Sequence, residues 1–208
     1  MAWFTRRGVA LKTRDFLGHL NIHKTPENHV YALSLLPAAV ELRATEVISG
    51  WIQMPPPALL LASPPELTTR VEEDTPTRDS MIMLMKKYPL DAMFVENPRF
   101  ITLLHRILAK YGPDDPSLQL MAHMSGDTWL HVADERKLHQ WGKTPSPEDI
   151  LGTFRVEGKR ILHTSYIPMP THRLITATHG AFRLSRTVHQ HLVQELERVN
   201  HRHKPMHL

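Results

Sequence analysis

The last third of the chain constrains the fold most. Its apolar residues fall in short alternating runs punctuated by glycine, and the pattern ends in one helical repeat. Residues 150–156 and 160–162 are expected to pair across Glu157-Gly158-Lys159, because glycine allows the positive φ of a tight hairpin turn. Residues 174–178 and 181–184 are expected to pair across His179-Gly180 by the same logic. Trp129, Leu130 and Val132 supply the bulk of a further strand over 128–132. Ser185 is a good N-cap, and Val188, Leu192, Leu196 and Val199 then fall on one helical face. That face is expected to cover one side of the sheet.

Helical signals dominate the reading of the first part. Pro37 fits a first helical turn, and Glu41, Arg43 and Glu46 recur at helical spacing, which predicts a helix to about residue 48 that Gly50 ends. Residues 54–66 hold five prolines, so an extended connector is expected there. A helix over 80–87 must stop before Pro89. Asn97 is an N-cap with Pro98 at the first helical position, and Phe100, Leu103, Leu104, Ile107, Leu108 and Tyr111 make an apolar stripe. His105 is expected on the surface of this helix. Asp115-Pro116 starts a short helix through His123.

The fold class expected from these signals is α+β: a helical N-terminal half packed on a small antiparallel β-meander and closed by a C-terminal helix. Residues 1–25 form a basic N-terminal arm, with a mitochondrial targeting segment as the alternative reading. Residues 26–200 form a single domain, helical over about 26–125 and a meander plus helix over about 126–200. Residues 201–208 form a His-rich tail.

The chain has no cysteine, which excludes disulfides, thiolate nucleophiles and Cys-based zinc sites. No apolar run approaches the length of a membrane span. Phosphate loops, dinucleotide turns, nucleophile elbows and His-Glu-x-x-His pairs are all missing, so no cofactor is expected. The 15 histidines and the net charge of +4 with histidine neutral make the charge sensitive to acidification.

The densest polar group is Asp127, His131, Asp134, Glu135, Arg136 and His139, followed by Trp141. A histidine can exchange a proton near neutral pH and a carboxylate can orient it. His131, Asp134 and Glu135 are therefore the catalytic candidates, and Arg136 and Trp141 the binding candidates. Strand alternation opposes the catalytic reading. Leu130 and Val132 should face the core and His131 the other way, with Asp134 on the side opposite His131. Asp134, Glu135 and Arg136 with Glu148 and Asp149 are also expected to form an ion-pair network that holds the loop ends at the surface. No preorganised metal site is expected; His201, His203 and His207 in the tail would bind zinc only weakly.

Asp134-Glu-Arg136, Trp141-Gly142, Pro147-Glu-Asp-Ile-Leu-Gly152, Val156-Glu-Gly158, Tyr166 and Met169-Pro-Thr-His-Arg-Leu174 together resemble a pattern in uncharacterised fungal proteins of unknown function. The resemblance covers the last third of the chain. It implies a eukaryotic intracellular origin and carries no reaction, cofactor or functional residue.

The function expected is a non-enzymatic intracellular binding or assembly protein with a protein partner, cytoplasmic in preference to mitochondrial. Two alternatives stand beside it. One is a small hydrolase or lyase using the His/carboxylate cluster, with or without a metal. The other is an RNA-contacting organellar protein using Arg6, Arg7 and Arg14.

Overall fold

A computed structural model describes residues 16–27, 29–53, 78–88, 93–137 and 143–203. The first sheet is antiparallel, in the order β1 (Asn21–Lys24), β2 (Val30–Ser34), β3 (Gly50–Gln53) and β4 (Phe94–Glu96). Helix α1 (Arg78–Lys87) precedes β4, and α2 (Pro98–Tyr111) and α3 (Pro116–Ser125) follow it. The second sheet joins β5 (Trp129–Ala133), β6 (Ile150–Glu157) and β7 (Arg160–Ile161), with β8 (Ile167–Pro168) also pairing β6. The strands β9 (Ile175–Thr176) and β10 (Gly180–Ala181) make a two-stranded ribbon, and α4 (Arg186–Arg202) ends the described chain.

This architecture corrects the expected helical N-terminal half. Where a helical layer was expected, four strands of that half pair into one antiparallel sheet, and the described residues form three antiparallel sheets. The segment expected as a helix over 37–48 is a turn at 38–40, closed by Val40 N–H on the Pro37 carbonyl, then an irregular stretch with a 3₁₀ turn at Thr45–Val47. Distant side chains satisfy its backbone. Asn200 accepts from Arg43 N–H and donates to the Glu41 carbonyl. Asn97 donates to the carbonyls of Thr45 and Ile48, and Ser34 donates to that of Val47. With those partners in place the backbone has no need of a helical ladder.

Phe16, Leu17 and Leu20 belong to the core, and β1 occupies residues 21–24 of the stretch expected as an arm. Residues 1–15, the proline-rich stretch from 54 onward, Trp141, His139 and His207 lie outside the described residues.

The local signals around 98–125 and 150–161 correspond to real elements. Asn97 Oδ1 accepts from Arg99 N–H and caps α2, whose buried residues are Phe100, Leu103, Leu104, Ile107 and Leu108. The β6–β7 hairpin turns at Gly158 and Lys159, both with positive φ (54° and 64°). In the ribbon, by contrast, Gly180 opens β10 and the turn lies before it. Val188, Leu192 and Leu196 are buried on α4 as the pattern requires. They pack chiefly against α2 and the Thr45–Val47 turn, however, and not over the meander. The stacked rings of Tyr111 and His191, 3.8 Å apart, join the two helices.

Candidate functional site

Residues 130, 132 and 134 share one face of β5 and its continuation, so Asp134 follows Leu130 and Val132 into the interior. Asp134 is fully buried. Its Oδ1 accepts from the N–H groups of Arg136 (2.9 Å) and Arg183 (2.8 Å). Its Oδ2 bonds His172 Nε2 at 3.0 Å. A shift in the β5–β6 register between Val132 and Ala133 brings Asp134 N–H onto the Asp149 carbonyl.

Arg136 is the centre of this cluster. Its Nε donates to Asp149 Oδ1 at 3.0 Å and lies 3.3 Å from Asp134 Oδ2. Its terminal nitrogens donate to the carbonyls of Glu148 and Gly180. The side chains of Arg136, Asp134 and Asp149 are all excluded from solvent. Of the ion-pair network read from the sequence, Arg136 with Asp134 and Asp149 is present, in the interior instead of at the surface, while Glu135 is exposed and Glu148 contributes its backbone carbonyl. Five guanidinium N–H groups in a rigid fork suit this task, since one side chain can hold several loops. The loops held here follow β5, precede β6, and lead into and out of the β9–β10 ribbon.

The sequence candidates are therefore separated. Glu135 is exposed, and its backbone N–H donates to the Arg183 carbonyl. Burial, and then the charges of Asp115 and Asp134, raise its carboxyl above the usual range. His131 stands on the opposite face of β5, across from Thr153 on β6, and its Nδ1 has no hydrogen-bond partner among the described residues. The histidine that meets Asp134 is His172, from a loop distant in sequence. His201 lies in the last turn of α4, and His203 Nδ1 bonds the Val199 carbonyl. Among the described residues no group of three or more His, Cys, Asp or Glu side chains could hold a metal ion. Arg6, Arg7 and Arg14, the residues of the RNA reading, lie outside the described residues.

Tyr166 and His105 complete the region, and His105, expected on the helix surface, is half-buried against Tyr166. Tyr166 packs over Gly152, where a Cβ would lie within 2.6 Å of the phenol. Its hydroxyl donates to the Leu151 carbonyl (3.2 Å) and meets His105 Nδ1 at 2.9 Å. The phenol has one proton, so His105 must be the donor in the second bond, with Nδ1 protonated and Nε2 left as an acceptor. Burial, and secondarily the His172 ring, lower the His105 pKa to about 4. Burial also pushes the Tyr166 hydroxyl well above its ordinary value. His105 and His172 line a cleft of about 80 Å³ with Glu96, Leu104, Met169 and Arg173. Tyr166 and His172 both lie inside the run that resembles fungal proteins, but nothing in that run distinguished them from its other polar residues.

No helix among the described residues is long and apolar enough to cross a membrane. No family model, no curated protein and no solved structure matches this chain.

Proposed function

We propose that the protein is a non-enzymatic binding or assembly protein that takes a protein partner on the outer face of the β5–β6–β7 sheet. One observation carries this reading: three large apolar side chains, Trp129 (46 % exposed), Leu162 (37 %) and Ile167 (52 %), converge on that face. Residues directly opposite in an antiparallel pair point to the same side of a sheet. Trp129 is opposite Arg155, and Leu162 N–H donates to the Arg155 carbonyl from the other side. Two residues along β6, Thr153 is flanked by His131 and Ile167. The Arg155 guanidinium lies 5.9 Å from the Trp129 ring.

Clustered exposed apolar residues on a soluble surface are associated with interaction sites. Tryptophan and arginine are the residues most enriched among those that dominate binding energy. The catalytic alternative lacks comparable support, since the oxygens of Asp134 already serve Arg136, Arg183 and His172. The test compares proximity labelling in cells by the wild-type chain and by a Trp129→Ala/Ile167→Glu double variant. Both positions are on the surface, so thermal stability should stay close to wild type while the specifically labelled proteins are lost. An unchanged set of labelled proteins with the double variant would remove the reading.

A further inference from the structure

Among the described residues β5 is an edge strand, paired with β6 on one side only. Val156 N–H donates to the Thr128 carbonyl, and Trp129–Val132 continue in that register. Bonded positions alternate along an antiparallel pair. The backbone of Leu130 and Val132 therefore serves β6, and that of Trp129, His131 and Ala133 points away from it. Those outward N–H and carbonyl groups have no hydrogen bond among the described residues. The register shift at Val132/Ala133 puts its extra residue, Leu151, on β6 and leaves β5 regular.

Edge strands ordinarily carry a charge or a proline that blocks pairing with another chain. The other edge strands of the two larger sheets do so, with Lys24 in β1, Glu96 in β4, Arg160 in β7 and Pro168 in β8. β5 reads Trp-Leu-His-Val-Ala and has no Lys, Arg, Asp, Glu or Pro. The open stretch has two ends. The chain bends at Asp127 and Thr128 before it, and Glu135 N–H takes the Arg183 carbonyl after it.

We infer that β5 pairs with β5 of a second copy of this chain, antiparallel about a two-fold axis through His131. His131 then exchanges both its backbone bonds with His131 of the second copy, and Trp129 with Ala133 of the second copy. The side chains match as well. Trp129 lies opposite Ala133, large against small, on the outer face, and Leu130 lies opposite Val132 on the buried face. An uncharged strand meets its own copy without setting like charges against each other. The contact is isologous and closes at a dimer. It goes beyond the partner reading, which concerns the outer face of the same sheet.

The test is analytical ultracentrifugation of the whole chain through the micromolar range, with amide hydrogen exchange at the two ends of that range. A dimer is expected at high concentration. The His131 amide should exchange slowly there and fast on dilution, while Leu130 and Val132, bonded to β6, stay slow throughout. His131→Glu and His131→Lys each set like charges opposite each other on the axis and should sediment as monomers. An equimolar mixture of the two should recover the dimer, since Glu then faces Lys. A monomeric wild type, a His131 amide that exchanges at the same rate at both concentrations, or a mixture that stays monomeric while both variants melt like the wild type would each overturn the inference. The particle mass has no part in the labelling test, so the two readings fail separately.

Discussion

Replacing Asp134 with alanine removes the acceptor of bonds from Arg136 N–H, Arg183 N–H and His172 at once. It also leaves Arg136 short of one of its two buried carboxylates. Breaking a buried ion pair from one side costs about 3–5 kcal/mol, because the remaining charge is neither hydrated nor compensated. Asp134→Ala should therefore lower stability by about that amount in urea unfolding. Glu135→Ala alters an exposed side chain and should stay within about 0.5 kcal/mol of wild type. The two residues are adjacent in sequence and were equal candidates on composition. Strand parity separates them, directing one to the interior and the other outward. A small effect of Asp134→Ala, comparable to that of Glu135→Ala, would mean that the buried cluster does not brace the loops.

At the scale of elements, the helix caps are coupled. Asp115 Oδ1 accepts from the N–H groups of Ser117 and Leu118 and caps α3, while Oδ2 accepts from Ser185 Oγ at 2.6 Å. Ser185 Oγ in turn accepts from Val188 N–H and caps α4. A lost N-cap costs about 0.5–2 kcal/mol. Asp115→Ala and Ser185→Ala should each destabilise by at least that much. Because the two share a bond, the double variant should cost measurably less than the sum of the singles. Strict additivity in a double-mutant cycle would show that the two helix starts are independent. Each cap was legible in the sequence, as were the apolar stripe of α2 and the turn at Gly158, because each signal lies within a few neighbouring residues. The bond between the caps spans 70 residues and left no local trace. The same holds for Asn97 and Asn200, whose amides hold residues 41–48 in their irregular path. There Pro37 and the spacing of Glu41, Arg43 and Glu46 pointed to a helix, and partners from α2 and α4 overrode that preference. The candidate site was legible to the same degree. Asp134 and Arg136 stood out as a polar cluster, but His105, Tyr166 and His172 reach that region only through the tertiary fold.

For the molecule as a whole, the buried histidines set the response to acid. Burial lowers the proton affinity of His23, although the Leu36 carbonyl on its Nε2 works in the opposite direction. Burial and the neighbouring His19 ring lower that of His189. Burial and His172 lower that of His105 from 6.5 to about 4. In each case the unfolded chain binds the proton more readily than the folded one. Stability is then complete above pH 6.5 and falls as the pH drops from there toward the folded values, since protonation favours the unfolded state. The full His105 shift would correspond to about 3 kcal/mol at ~1.4 kcal/mol per unit. Partial exposure of the ring screens its charge, so about 1–2 kcal/mol is the expected share. Most carboxylates remain ionised between pH 6.5 and 5, which leaves this window to the histidines. Urea midpoints should fall steadily across it in the wild type. His105→Gln, which does not titrate and can still donate to Tyr166, should fall less steeply. If the wild type and His105→Gln lose stability in parallel between pH 6.5 and 5, His105 is not the residue whose protonation opposes folding, and the acid response belongs to His23 and His189.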